Sequence, residues 1–146
     1  MRDAESPLLK LLPKEQVRDV MNQNMCELDY TFLGFTDIYE HLSYIIPIHF
    51  IILDLGCYVA TQSFYFKNHK SYIGVDTITL KRFEFENTTH YIKSIQDFLL
   101  EDLQKYDLEK TFAICSYVPD DDAKRLVRAK FQNLFVFYPC SNELPF

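Results

Sequence analysis

Glycine is scarce in this chain, with three residues among 146, and tryptophan is absent. So few glycines exclude a collagen-like repeat or a low-complexity chain. The longest apolar run, Tyr44 to Leu53, is interrupted by Pro47 and His49, and it is too short for a membrane-spanning helix of about 20 residues. Residues 1–6 are largely charged and polar and lack an apolar core, so no signal peptide is predicted.

Cysteine is also sparse, and its spacing excludes the common metal and redox motifs. The four cysteines form no C-x-x-C pair, and the four histidines are scattered, so no metal site is predicted. Without an export signal we expect reduced thiols and a cytoplasmic location.

Positive charge is in deficit, because the chain has 15 Lys and Arg but 21 Asp and Glu, which gives a net charge of −6. A phosphate backbone is repelled on average by such a chain, so nucleic acid is not favoured as a partner. Hydrophobic residues make up 48% of the chain, with 13 Phe and 10 Tyr. This content and length predict one globular domain over residues 1–146.

Apolar periodicity predicts an N-terminal helical segment, residues 1–47, and then an α/β core, residues 48–140. The first predicted helix starts at Lys14 and ends near Gly34, with the apolar stripe Val17, Met21, Met25, Leu28 and Phe32. The second starts at Thr36 and ends at Pro47, with Ile38, Leu42 and Ile45 facing inward. Strands are predicted at 48–55, 71–75, 88–95, 111–117 and 134–138, and helices at 61–68, 96–106 and from 120 onward.

This alternation predicts a Rossmann-like, doubly wound and mainly parallel five-stranded sheet between two helix layers. Ligands in such sheets bind beyond the carboxyl ends of the strands. We therefore expect a cleft formed by residues 55–60, 76–78, 94–97 and 115–120.

Two short motifs lie at this edge of the predicted sheet. Residues 51–57 read Ile-Ile-Leu-Asp-Leu-Gly-Cys, and residues 72–76 read Tyr-Ile-Gly-Val-Asp, with 20 positions from Gly56 to Asp76. They resemble motif I and the second-strand motif of the class I S-adenosylmethionine-dependent methyltransferases, in a divergent form. The family's turn is Asp-x-Gly-x-Gly-x-Gly, whereas here Tyr58 and Ala60 replace the second and third glycines.

The resemblance implies S-adenosyl-L-methionine as the cofactor and methyl transfer to an acceptor that it does not identify. It implies a ribose-binding role for Asp76 and a role near the methionyl amine for Asp54. It assigns no catalytic residue and no metal. The implied cofactor-binding residues are Asp54, Gly56, Cys57, Tyr58, Asp76, Thr77, Ser94 and Cys115.

Structural alternatives exist for these residues. Asp54 could instead orient the turn through main-chain N–H groups, and Asp76 could be a solvated carboxylate that starts a loop. The ring of Tyr58 would either crowd the methionyl part of the cofactor or fold outward. For Asp97, a place at a helix N-terminus is favoured over an adenine contact, and for Asp120 to Asp122 helix capping is favoured over cation binding.

Other features favour structural roles. Cys57 and Cys115 are interpreted as buried structural thiols, because no histidine lies near them in sequence. Residues 117–119 are interpreted as an ordinary turn rather than a substrate clamp. A solvated face is expected for the basic set Lys67, His69, Lys70, Lys81 and Arg82.

A second hypothesis is a non-catalytic module that keeps the methyltransferase fold for protein–protein interaction or assembly. The altered glycine turn and the many aromatic residues favour it. The chain also stops soon after the fifth strand, so we expect a reduced substrate-binding half and a strand edge covered by a second subunit, as in a homodimer. A nicotinamide or flavin domain is less favoured, because no Gly-x-Gly-x-x-Gly is present.

Overall fold

A computed structural model describes residues 7–23, 37–116, 118 and 120–137. Several predictions concern residues outside these ranges. They are the stripe positions Met25, Leu28 and Phe32, the helix stop Gly34, the cap Thr36, the thiols Cys26 and Cys140, and Tyr117 and Pro119 of the predicted turn.

The described strands form one parallel sheet, which confirms the predicted Rossmann-like α/β fold. Its spatial order is β3-β2-β1-β4-β5, and every neighbouring pair is parallel. This order reverses direction between β1 and β4, which makes that point the switch point of a doubly wound sheet. The strands are β1 (Ile51–Leu55), β2 (Ser71–Asp76), β3 (Thr88–Ile92), β4 (Thr111–Ser116) and β5 (Leu134–Phe137).

Helical elements cover both faces of the sheet. The α-helices are α1 (Pro7–Leu11), α2 (Lys14–Met21), α3 (Asp37–Ile45), α4 (Ile95–Glu101) and α5 (Asp121–Lys130). Short 3₁₀ helices span Thr61–Phe66, Leu103–Lys105 and Leu108–Lys110.

Side chains alternate between two cores, as they must on a pleated strand. Leu53 and Leu55 of β1 pack on the face covered by α4 and α5, while Ile52 packs on the face covered by α3 and the 61–66 helix. All of β1 is buried, as predicted for a strand covered on both sides.

Helices α1 and α2 pack against the loops at the carboxyl edge of the sheet. Leu8, Leu12 and Val20 form a third cluster with Val59 and Phe83. The side-chain amide of Gln16 donates to the Glu84 carbonyl over 2.8 Å and accepts from the Glu84 N–H over 2.7 Å. The N-terminal helices therefore hold the two loops that follow β1 and β2.

The structure corrects several predicted boundaries. The first strand starts at Ile51 rather than residue 48, because Pro47 and Phe50 close a turn (Phe50 N–H to Pro47 O, 3.1 Å). The predicted helix 96–106 ends at Glu101 and is followed by a 3₁₀ turn. In α3, Leu42 is buried as predicted, but Ile45 is 60% exposed. Pro7, expected to limit helix formation, begins α1 instead.

Candidate functional site

The turn after β1 has a left-handed backbone at every second residue. The φ angles are +86° at Gly56, +54° at Tyr58 and +60° at Ala60. A residue with a Cβ adopts this conformation at a cost of about 1–2 kcal/mol. The two positions where the resembled family carries its second and third glycines thus keep a glycine-like backbone, although their side chains have changed.

The main-chain N–H groups of this turn are already hydrogen-bonded. Those of Gly56 and Cys57 donate to the carbonyl of Val75, over 2.8 and 3.2 Å. The N–H of Tyr58 donates to Oδ2 of Asp76 over 2.9 Å, and that of Ala60 to the Cys57 carbonyl over 2.9 Å. The end of β2 therefore fixes the turn.

A cavity of about 280 Å³ lies beside this turn, at the carboxyl ends of β1, β2 and β4. It opens on the side of the sheet covered by α4 and α5, next to the switch point where ligands of such sheets bind. Four predicted site residues line it together: Gly56, Asp76, Thr77 and Ser94. The remaining lining residues are Val75, Lys93, Ile95, Gln96, Val118, Asp120 and Ala123.

Asp76, which lines the cavity, retains acceptor capacity on its carboxylate. Its Oδ2 accepts from the N–H of Tyr58 over 2.9 Å, and its Oδ1 accepts from the N–H of Ile78 over 3.3 Å. An ionised carboxylate offers about four lone-pair sites, so about two are left for hydroxyl donors.

The structure leaves four predicted residues out of the cavity. Asp54 and Cys57 are fully buried on the α3 side of the sheet, and Cys115 lies within the core under α4 and α5. The half-buried ring of Tyr58 packs against the cluster of α1 and α2, so it folds outward rather than into the cavity. Asp54 therefore does not line the cavity that Asp76 lines, although Asp76 is near enough for its charge to add to the effect of burial on the pKa of Asp54.

Asp54 belongs instead to a buried polar cluster. Its Oδ2 accepts from Nε2 of Gln62 over 2.7 Å and from the hydroxyl of Tyr72. Tyr39 and Ser116 share a further hydroxyl–hydroxyl bond in the same core. Burial raises the pKa of Asp54 to about 6, against the lowering effect of the Tyr72 and Gln62 hydrogen bonds. Side chains, not main-chain N–H groups, provide these bonds, so the alternative predicted for Asp54 is also corrected.

The described cysteines are buried and free, as predicted for structural thiols. Burial raises the pKa of Cys57 well above the usual range and that of Cys115 to about 11. Neither thiol is activated as a nucleophile, since activation requires a lowered pKa.

The predicted capping roles are confirmed. Oδ1 of Asp120 accepts from the N–H groups of Asp122 and Ala123, over 2.9 and 3.2 Å, at the start of α5. A hydrogen bond from Gln96, together with these N–H groups, lowers the pKa of Asp120. Asp97 lies exposed in the first turn of α4, where its N–H is capped by Oγ of Ser94 over 3.0 Å, and it does not line the cavity.

Sequence reasoning missed two members of the basic set, which was expected on a solvated face. Arg82 is only 4% exposed and His69 only 5%. A histidine nitrogen of His69, Nε2, bonds to the Ile46 carbonyl over 2.8 Å. Arg82 lies in the loop that follows β2, next to Phe83 and two positions after Leu80, and these apolar neighbours were the available indication of burial.

In the ranges that the structure describes, no group of three or more His, Cys, Asp or Glu side chains could hold a metal ion. No helix within them is both long and apolar enough to cross a membrane. Comparison with family models, with curated proteins and with solved structures finds no match for this chain.

Proposed function

We propose that this chain binds S-adenosyl-L-methionine through its nucleoside part, in the cavity beside Asp76, as a divergent methyltransferase. The observation that carries the proposal is the turn after β1, whose left-handed φ angles recur at Gly56, Tyr58 and Ala60. Strained backbone of this kind persists where the surrounding structure holds it, and it clusters at ligand sites.

The cavity residues fit a nucleoside better than a nucleotide. Asp76 and Asp120 are both acidic, and Lys93 is paired with Glu101 and Asp102 over 2.8 and 2.6 Å. The amides of the turn, which cradle phosphate in dinucleotide-binding folds, already bond to Val75 and Asp76. A neutral or cationic ligand is favoured over a phosphorylated one.

Asp76, Thr77 and Ser94 are the polar cavity residues that we assign to such a ligand. The spare lone pairs of Asp76 would accept from ribose hydroxyls, and Thr77 and Ser94 line the same cavity. When bound, S-adenosylmethionine supplies an electrophilic methyl group, and the protein contributes mainly by positioning it. The methionyl amine would receive no contact from Asp54, which is buried in the core and does not line the cavity.

Isothermal titration calorimetry tests this proposal. We expect S-adenosylhomocysteine to bind, adenosine to bind within about tenfold of it because Asp54 is not at the site, and ATP to bind more weakly than adenosine. Asp76→Asn should weaken binding about tenfold or more, as loss of a charged hydrogen bond does. The matched control Asp54→Asn should keep the affinity within about threefold.

Two results would contradict the proposal. The first is no heat and no thermal shift with any of these ligands at millimolar concentration. The second is an equal loss of affinity in Asp54→Asn and Asp76→Asn.

We propose a non-catalytic interaction module as the second candidate function, with a second copy of the chain as its partner. The observation that favours it is an exposed apolar segment at the end of α3, where Tyr44, Ile45 and Ile48 are 77%, 60% and 64% exposed. Analytical ultracentrifugation should then show a dimer that Ile45→Asp disrupts. Methyl transfer by the unmodified chain, or Tyr58→Gly binding no ligand better than the parent, would count against this candidate.

A further inference from the structure

Arg82 is a buried cation at the end of β2 and β3. Its Nη1 donates to the Gly74 carbonyl over 3.2 Å, and its Nη2 donates to the carbonyls of Asp76 and Tyr91 over 3.0 and 3.1 Å. A longer contact of 3.5 Å joins Nη2 to the carbonyl of Ile78. One guanidinium thus ties together two strand ends and the loop between them.

The charge of Arg82 is balanced by main-chain dipoles rather than by a carboxylate. Among the described residues it takes part in no ion pair. Its Nε is buried without a hydrogen-bond partner. A buried, unpaired cation is costly, so a role as a generic stabiliser of the fold does not explain its position. The planar guanidinium, with its donors in fixed directions, explains the presence of arginine here better, because a lysine ammonium cannot span several carbonyls in this way.

The carbonyls that Arg82 holds belong to the segment that orients the cavity carboxylate. The main-chain oxygen of Asp76 accepts a hydrogen bond from Arg82, and its two carboxylate oxygens accept from the N–H groups of Tyr58 and Ile78. The carbonyl oxygen of Ile78 also accepts from Arg82. Thr77 lies between these two anchored residues and lines the cavity.

We propose that Arg82 is a positioning residue that fixes the Asp76–Ile78 segment, and with it the Asp76 carboxylate, for ligand binding. The proposal rests on the proposed nucleoside-binding function of the same cavity. Arg82 acts through Asp76 and does not itself touch the ligand, because the lining residues include Asp76 and Thr77 but not Arg82.

A double-mutant cycle with S-adenosylhomocysteine as the probe tests the binding part. Arg82→Lys keeps the charge but loses the fork, and the matched control Lys81→Arg makes the reverse exchange at the exposed neighbour. We expect Arg82→Lys to weaken binding about tenfold and Lys81→Arg to leave it within about twofold. In an Asp76→Asn background, Arg82→Lys should have no further effect beyond about twofold, because the two residues act as one unit. If the losses of affinity in the two single variants add up in the double variant, the proposal is overturned.

Amide hydrogen exchange tests the positioning part without any ligand. In Arg82→Lys the N–H groups of Tyr58 and Ile78, which bond to the Asp76 carboxylate, should exchange at least about tenfold faster, while the core amide of Leu53 is unchanged. Unchanged exchange at Tyr58 and Ile78 would overturn the proposal.

The two arms separate the failure of this inference from the failure of the proposed function. If the wild-type chain binds no S-adenosylhomocysteine, the nucleoside function fails, and the exchange arm alone decides whether Arg82 fixes Asp76. Arg82→Gln is made beside Arg82→Lys so that a folding failure of one variant leaves the other. If both variants unfold, Arg82 stabilises the whole sheet, and the proposal that it only positions the Asp76–Ile78 segment is overturned.

Discussion

Two carboxylates at the ends of neighbouring strands, Asp54 on β1 and Asp76 on β2, have different surroundings. Asp54 is fully buried on the α3 face among hydroxyl and amide groups, and burial raises its pKa to about 6. Asp76 is half-buried, accepts two main-chain N–H groups and lines the cavity on the α4 and α5 face. The same residue type thus serves the core in one place and the cavity in the other.

The difference follows from depth along the strands. Asp54 pairs with Gly74, two residues before Asp76. With a rise of about 3.3 Å per residue, Asp54 therefore lies about 7 Å deeper in the sheet. A carboxylate at the last position of a strand reaches solvent and ligand, whereas one that lies deeper must find partners in the core.

The largest expected effect is the pH dependence that the buried Asp54 gives to the free energy of unfolding. Asp54 has a pKa of about 6 in the folded chain against an ordinary value of 3.8, so its contribution favours folding in acid and is lost as the pH rises through about 6. The difference between a pKa of 3.8 and one of about 6 corresponds to about 3 kcal/mol, which is fully present only below pH 3.8. Urea unfolding at pH 3 and pH 8 should show wild type losing about 3 kcal/mol relative to Asp54→Asn. A difference between the two proteins that does not vary with pH would contradict the buried, ionisable Asp54.

A smaller effect is expected from two alanine substitutions on opposite faces. A Cβ at Gly74 would lie 2.8 Å from Sγ of Cys57 and 2.9 Å from Nδ1 of His90, so Gly74→Ala should lower the free energy of unfolding by about 1–3 kcal/mol. Its ligand affinity, measured on the folded fraction, should stay within about threefold. Denaturant titration and calorimetry measure the two quantities separately.

Gly56→Ala is the matched variant on the cavity face. There the Cβ would meet Cγ2 of Val118 at 2.9 Å, at a φ of +86° that alanine adopts only with strain of about 1–2 kcal/mol. Since Gly56 and Val118 both line the cavity, this variant should lose stability and ligand affinity together. If Gly74→Ala weakens ligand binding and Gly56→Ala does not, the assignment of Gly56 to the cavity and of Gly74 to the core is wrong.

The clash at Gly74 can be tested separately. Adding Cys57→Ala to Gly74→Ala should restore part of the lost stability, because it removes the Sγ atom that the new Cβ meets.

The smallest expected effect concerns Tyr58. Its ring packs against the cluster of α1 and α2 and does not line the cavity, so Tyr58→Gly should change the affinity for S-adenosylhomocysteine by less than about threefold. Calorimetry on the folded variant measures this. A large gain in affinity would mean that the ring obstructs the ligand after all, and it would weaken the assignment of the cavity as it stands.

Much of the fold could be predicted from the sequence, because hydrophobic periodicity and strand–helix alternation are local properties of the chain. The run of apolar residues in β1 predicted a strand buried on both faces, and it is one. The start of that strand could not be placed, since Pro47 to Phe50 is also mainly apolar and periodicity does not separate a strand from a short turn.

The candidate site could be predicted only in part. The glycine turn and the acid 20 positions later lie at one cavity, because both stand at the carboxyl ends of neighbouring parallel strands. The place of Asp54 depends on the register of β1 against β2, which the sequence does not contain. The burial of Arg82 depends on carbonyls of Gly74 and Tyr91, eight and nine residues away, which converge only once the sheet has formed.

The turn after β1 has a consequence for the unfolded chain. Glycine loses the most conformational freedom on folding, so a turn with Gly56, Tyr58 and Ala60 starts from a narrower ensemble than a turn with three glycines would. That smaller entropic loss offsets part of the steric strain of their left-handed φ angles. The steric strain is the larger contribution, so the turn keeps its path at a net cost in the stability of the protein.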